Sequence, residues 1–170
     1  MNAEILRALQ APLKDKYKDQ PAAAQITLHA HARLGEGVTC RVETGRALVE
    51  AGLHPATGGT GASACSGDML LEALAACAGV TLGAVATALG IEIGQGVVRA
   101  EGDLDFRGTL GVSKDVPVGF QRIRLSFALD TNASDDQLAT LIRLTERYCV
   151  VLQTLRHAPE VHVSRRGLAG

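Results

Sequence analysis

Residues 73–89 carry no charge, and nine of these 17 positions are Ala or Gly. The run is too long for an ordinary strand, which spans about 3–10 residues. A single helix over 68–89 is predicted, with Ser66 or Asp68 as its N-cap and Gly90 as its stop. Met69, Leu70, Leu71, Leu74, Val80, Leu82, Val85 and Leu89 spread around the whole circumference. A helix that is apolar all round is expected to be buried all round. Its small residues let neighbouring elements approach closely. The run falls short of the roughly 20 apolar residues of a membrane span, and Asp68 and Glu72 stand at its head. It therefore reads as the core helix of a cytoplasmic protein with no membrane partner. Met1 leads into a polar amphipathic stretch rather than a basic and then apolar one, so no secretory signal is expected.

The rest of the chain supplies elements to wrap such a helix. Residues 2–17 are predicted to be helical from Ile5, Leu6, Leu9 and Leu13, with Pro12 kinking or ending the helix. A polar loop is expected over 14–21. This leader, residues 1–24, can pack on the body or on a partner chain. Residues 25–33 alternate, Ile26, Leu28, Ala30 and Ala32 on one side, then turn through Gly35-Glu36-Gly37 into a returning strand at 38–43. A third short strand is expected at 45–49. The stretch 54–67, HPATGGTGASACSG, is a loop by composition; it has no P-loop lysine with which to hold a phosphate. Residues 97–107 and 118–129 alternate again and pair. Ser134-Asp135-Asp136-Gln137 forms a capping box at the head of a second helix running to about Arg156, whose buried stripe is Leu138, Leu141, Ile142, Cys149, Leu152 and Leu155. Residues 161–163 are a last strand. The order β-β-β-α-β-β-α-β argues for an α+β fold, antiparallel sheets around two long central helices, in one domain over residues 25–170.

An apolar content of 46% fills a core, and a net charge of −1 provides no field for nucleic acid. With no Trp, two Tyr and three Phe, there are few rings on which bases could stack. No motif calls for a cofactor.

Four cysteines remain: Cys40, Cys65, Cys77 and Cys149, separated by 25, 12 and 72 residues, which matches no common zinc pattern. Free cysteines are most often small buried hydrophobes. Cys77 and Cys149, however, lie on buried faces of two helices that share a core, where their side chains can meet. To react, a thiol must be a thiolate, and a cysteine in mid-helix gets little help from the helix dipole. A cation is expected nearby, with Arg33, Arg41, Arg46 and His54 as candidates. Cys65, just before the helix, lies where N-terminal amides favour a thiolate. His29 and His31 share a strand face but make only two metal ligands, so no metal is assigned. Glu72, one turn into the helix, needs a partner cation or an exposed end.

The stretches SGDMLLEALAAC, ending at Cys77, and ERYCVVLQTL, around Cys149, resemble the two central helices of the OsmC/Ohr family, in a divergent branch. The resemblance covers roughly residues 25–163. It implies an intertwined homodimer with its sites at the subunit interface. It also implies a peroxidase of the oxidative stress response: the cysteine at 77 attacks an organic hydroperoxide, the cysteine at 149 resolves the sulfenic acid as a disulfide, and a dithiol, lipoyl-linked in one branch, restores both. Three positions depart from the pattern. The family glutamate ten residues before the reactive cysteine is Gly67, beside Asp68, which can cap the helix or stand in for it. The activating arginine, in one branch, falls in the loop where this chain has His54 and no arginine; in the other it falls in the first hairpin, near Arg33. The proline after the second cysteine is Val150. The alternative reading is a non-enzymatic dimer of the same fold that binds an apolar ligand at the subunit interface.

Overall fold

The computed structural model describes residues 3–34, 40–42 and 51–165, with side chains for 8–27 and 51–165. The expected strand at 45–49 and the side chains of His29, His31, Arg33, Arg41 and Arg46 lie outside the described residues.

Helix α1 (Ala3–Asp19) opens the chain and carries Pro12 within it. It runs through the segment expected to be a loop. The reason is tertiary: Tyr17 is 2% exposed, its hydroxyl donates to the Ala56 carbonyl at 2.7 Å, and Gln10 Nε2 donates to the Thr57 carbonyl at 3.2 Å. Tyr17 shares a small core with Ala24, Phe106 and Leu110. Buried contacts of this kind override the low apolar content of the segment.

A four-residue 3-10 turn leads into β1 (Gln25–Leu34), followed by β2 (Cys40–Val42). Strands β5 (Gly96–Asp105) and β6 (Arg122–Leu129) complete an antiparallel sheet of order β2-β1-β5-β6. Its register pairs Ile26 with Leu104, Ala30 with Ala100, and Val98 with Phe127, so the alternating apolar residues fall on one face. The other face is polar: Arg124 Nη2 donates to Asp103 at 2.9 Å, and the Thr27 hydroxyl to the same carboxylate at 2.7 Å. A side chain at Gly102 would meet the ring of Phe120 at 2.4 Å, so glycine there lets that ring lie on the strand. Short strands β3 (Ala51–Gly52) and β4 (Ala64–Cys65) pair in parallel. A single-turn helix α3 (Phe106–Thr109) follows β5.

Helix α2 (Ser66–Leu89) packs on the apolar face of the sheet. Its N-cap is Cys65, which makes no side-chain capping bond; Ser66 and Asp68 lie inside the first turn. Gly90 stops the helix at φ 67°, in the left-handed region. At 24 residues α2 is long and apolar enough to cross a membrane by length and composition, but Leu71, Leu74, Ala75, Ala78 and Leu82 are fully buried against the chain, as in a core helix. The expectation of burial all round does not hold for the single chain. Met69, Leu70 and Val80 are 38–40% exposed, and with Ala73 and Ala84 they form an open apolar strip along one side.

The second long helix is two. Helix α4 (Asp135–Tyr148), opened by the capping box of Ser134 and Gln137, ends at Cys149, and α5 (Val150–Arg156) begins there. Leu82 and Ala86 of α2 pack with Leu141 of α4, while Leu71 and Leu74 pack with Leu152 of α5; α2 thus runs antiparallel to α4 and α5. The strand expected at 161–163 does not form. Val161 and Val163 are 75% and 94% exposed, and isolated valines have no ladder to join.

Candidate functional site

The break at Cys149 builds the site. Cys149 has φ −70° and ψ 105°, an extended conformation that ends one helix and caps the next. Its own amide still donates to the Thr145 carbonyl at 2.9 Å, and its carbonyl accepts from the Gln153 amide at 2.9 Å. The break leaves carbonyls of the last α4 turn without helical partners. Gln153 Nε2 takes one of them, Glu146, at 2.7 Å, and Arg156 Nη1 meets the Glu146 carboxylate at 3.0 Å.

The break also frees amides at the head of α5, and these turn toward α2. The sulfur of Cys77, half-buried in mid-helix, is hydrogen-bonded by the amides of Val151 and Val150, by the thiol of Cys149 and by the hydroxyl of Thr81. Burial pushes the Cys77 thiol up; the four donors outweigh it and hold the thiol below its ordinary range. None of these groups is a cation. The side chains of Arg33, Arg41 and Arg46, the arginines expected to supply a cation, lie outside the described residues.

Cys149 is the opposite case. It is fully buried, and burial pushes its thiol up to about 11, with the bond it gives to Cys77 adding to the rise. The amides of Leu152 and Val151 reach it without offsetting that cost. The proton shared by the pair therefore rests on Cys149, and the negative charge is favoured on Cys77.

The structure thus brings Cys77 and Cys149 together. Cys65 is half-buried at the α2 N-cap and packs against the same apolar cluster. Asp68 lies in the first turn of α2; burial, and then the charge of Asp68, raise the carboxyl of Glu72. His54 points elsewhere. Its Nδ1 accepts from the Ala56 amide at 3.1 Å, and its ring stacks on Phe106 with centroids 5.1 Å apart, which fixes the loop against α3. Arg33 sits on β1 opposite Arg41 and Val97.

The groups missed by the sequence reading are Thr81 and the amides of Val150 and Val151. Thr81 lies one turn after Cys77 and was legible by spacing. The amides were signalled only indirectly: the position after the second cysteine carries proline in the resembling family, and proline favours the first position of a helix.

Two cavities among the described residues lie beside the pair. One of about 460 Å3 sits at the C-terminal end of α2, lined by Glu92, Asp130 and Gln137 among others, roughly 20 Å along the helix from Cys77. A groove of about 350 Å3 between β6 and α5 is floored by Phe120, Ile123, Leu125, Phe127, Leu152 and Leu155. Several of its residues pack on the cluster that holds Cys149.

The fold is shared with a crystal structure of an OsmC-like hydroperoxide resistance protein from Jannaschia sp. CCS1, with a TM-score of 0.62 at 16% identity, covering 86% of this chain and 97% of that one. A search of curated proteins returned no match. The family model for OsmC-like proteins matches residues 59–164, more than half of the sequence and including α2, both cysteines and the break between α4 and α5: the chain belongs to the OsmC-like protein family.

Proposed function

We propose that this protein is a cytoplasmic, thiol-dependent peroxidase that reduces organic hydroperoxides to alcohols. The observation that carries this reading is the asymmetry of the thiol pair, with Cys77 held down by four donors and Cys149 protonated beside it. The similar Jannaschia protein is named for hydroperoxide resistance, which points the same way. In the proposed reaction the Cys77 thiolate attacks an oxygen of the hydroperoxide. The O–O bond breaks, the alkoxide takes a proton to leave as the alcohol, and Cys77 becomes a sulfenic acid. The Cys149 sulfur then attacks that of Cys77: an S–S bond forms, the S–O bond breaks, and the oxygen leaves as water with the proton of Cys149. An external dithiol, such as a lipoyl group, reduces the disulfide and starts the next cycle.

The working form in this reading is a homodimer. The open strip of α2, with Met69, Leu70 and Val80, runs past the flank that carries Cys77. A second copy laid on it covers apolar surface and closes the site from water. Such a site favours an apolar peroxide over a hydrated one.

The test is a single-turnover oxidation of the reduced protein with cumene hydroperoxide, followed by mass spectrometry. A Cys77–Cys149 disulfide in the wild type and a trapped sulfenic acid in Cys149→Ser are expected. Loss of both thiols to other partners, or no oxidation, would refute the assignment. The apolar groove between β6 and α5 favours a second reading, a dimer that binds an apolar ligand; in that case the thiols stay inert to hydroperoxide.

A further inference from the structure

Thr145 is fully buried, and its hydroxyl has no hydrogen-bond partner among the described residues. Leaving a buried hydroxyl unpaired costs on the order of 1–3 kcal/mol, and valine would fill the same space without that cost. The position is not a general one. Thr145 lies one helical turn before Cys149, and its carbonyl takes the Cys149 amide at 2.9 Å. Residues four apart share a helix face with β-carbons about 6 Å apart, and a helical side chain leans back toward the preceding turn. The Thr145 and Cys149 side chains therefore share one helix face, with no hydrogen bond between them in the dithiol form.

We infer that Thr145 is a catalytic residue of the resolving step, its hydroxyl donating to the Cys149 sulfur once that sulfur has given up its proton and before it attacks the Cys77 sulfenic acid. This rests on the peroxidase reading above. In the dithiol form Cys149 is protonated and gives its hydrogen to Cys77, so it needs no donor, and the hydroxyl stays idle. Once Cys77 carries the sulfenic oxygen, the Cys149 proton passes to that oxygen, and the sulfur is briefly anionic in a site whose burial opposes the charge. Its attack then forms the S–S bond, breaks the S–O bond and releases water. Thr145 is the buried donor one turn away. Its role is distinct from that of Thr81, which lies one turn after Cys77 and serves the first step.

The test separates the two steps. Reduced full-length wild type, Thr145→Val, Thr145→Ala and Thr145→Ser are each mixed with one equivalent of cumene hydroperoxide, and sulfenic acid and disulfide are followed by quenched-flow mass spectrometry with a dimedone probe. Sulfenic acid is expected to form at the wild-type rate in all four. Its conversion to disulfide should slow about tenfold or more in Thr145→Val and Thr145→Ala, the loss of a hydrogen bond to a charged group, and Thr145→Ser should restore it. A merely structural role would move both steps together or change only the melting temperature. Conversion as fast in Thr145→Val and Thr145→Ala as in wild type overturns the inference while leaving the peroxidase reading intact. A wild type that forms no sulfenic acid overturns both.

Discussion

Gln153 donates its side-chain amide to the carbonyl of Glu146, seven residues earlier and 2.7 Å away, across the point where the helix breaks. That one bond ties the end of α4 to the first turn of α5 and keeps the amides of Val150 and Val151 aimed at Cys77. Gln153→Ala is expected to cost about 1 kcal/mol of stability. Chemical denaturation would measure it. The same variant should raise the titration midpoint of Cys77, because the amides that hold it down lose their brace.

The pair should titrate in two well-separated steps. Cys77 is lowered, so its thiolate persists to lower pH; alkylation by iodoacetamide, followed residue by residue, should reach its half-point at lower pH than an ordinary free thiol does. Peroxide turnover should fall as pH drops through that same point, as the reactive anion is protonated. Cys149 is raised and should remain unmodified until far more alkaline pH. A reversed order of modification would exchange the roles of the two cysteines.

His54 is expected to be dispensable for chemistry. It stacks on Phe106 and accepts from Ala56, and both contacts belong to the seat of the leader. His54→Ala should cost on the order of 1 kcal/mol of stability through the lost stack and leave peroxide turnover unchanged. A large fall in turnover at equal folded fraction would return His54 to the site.

The open strip of α2 predicts that Val80→Arg yields a monomer. A charge placed in an apolar interface loses its hydration without a partner, so sedimentation should show half the wild-type mass. Turnover should fall with it, since the Cys77 flank is left open to water.

The helices that matter most were legible because their signals are local. The uncharged run of 73–89 announces α2, and the capping box at Ser134 announces α4 to the residue. That Cys77 and Cys149 meet followed from faces alone. The break at Cys149 did not, because no Gly or Pro marks it; Val150 and Val151 are ordinary letters, and what holds the break open is a bond from Gln153 and an ion pair from Arg156. The end of α1 is hidden for a related reason: Tyr17 sits among Lys and Asp, and its distant partners at Ala56, Phe106 and Leu110 make it a core residue. Val161 and Val163 alternate like a strand, but a strand exists only where another edge receives it. The donors that lower the Cys77 thiol include two backbone amides, which every residue but proline carries and no sequence advertises.

Steady-state consumption of hydroperoxide decides whether Cys77 is a peroxide-reducing thiol. Wild type, Cys77→Ser and Cys149→Ser would be compared with cumene hydroperoxide and with hydrogen peroxide, using dithiothreitol and dihydrolipoamide as donors. Turnover is expected in the wild type, faster with cumene hydroperoxide, lost in Cys77→Ser and reduced in Cys149→Ser. A wild type that consumes neither peroxide, or a Cys77→Ser variant that consumes both at the wild-type rate, would contradict it.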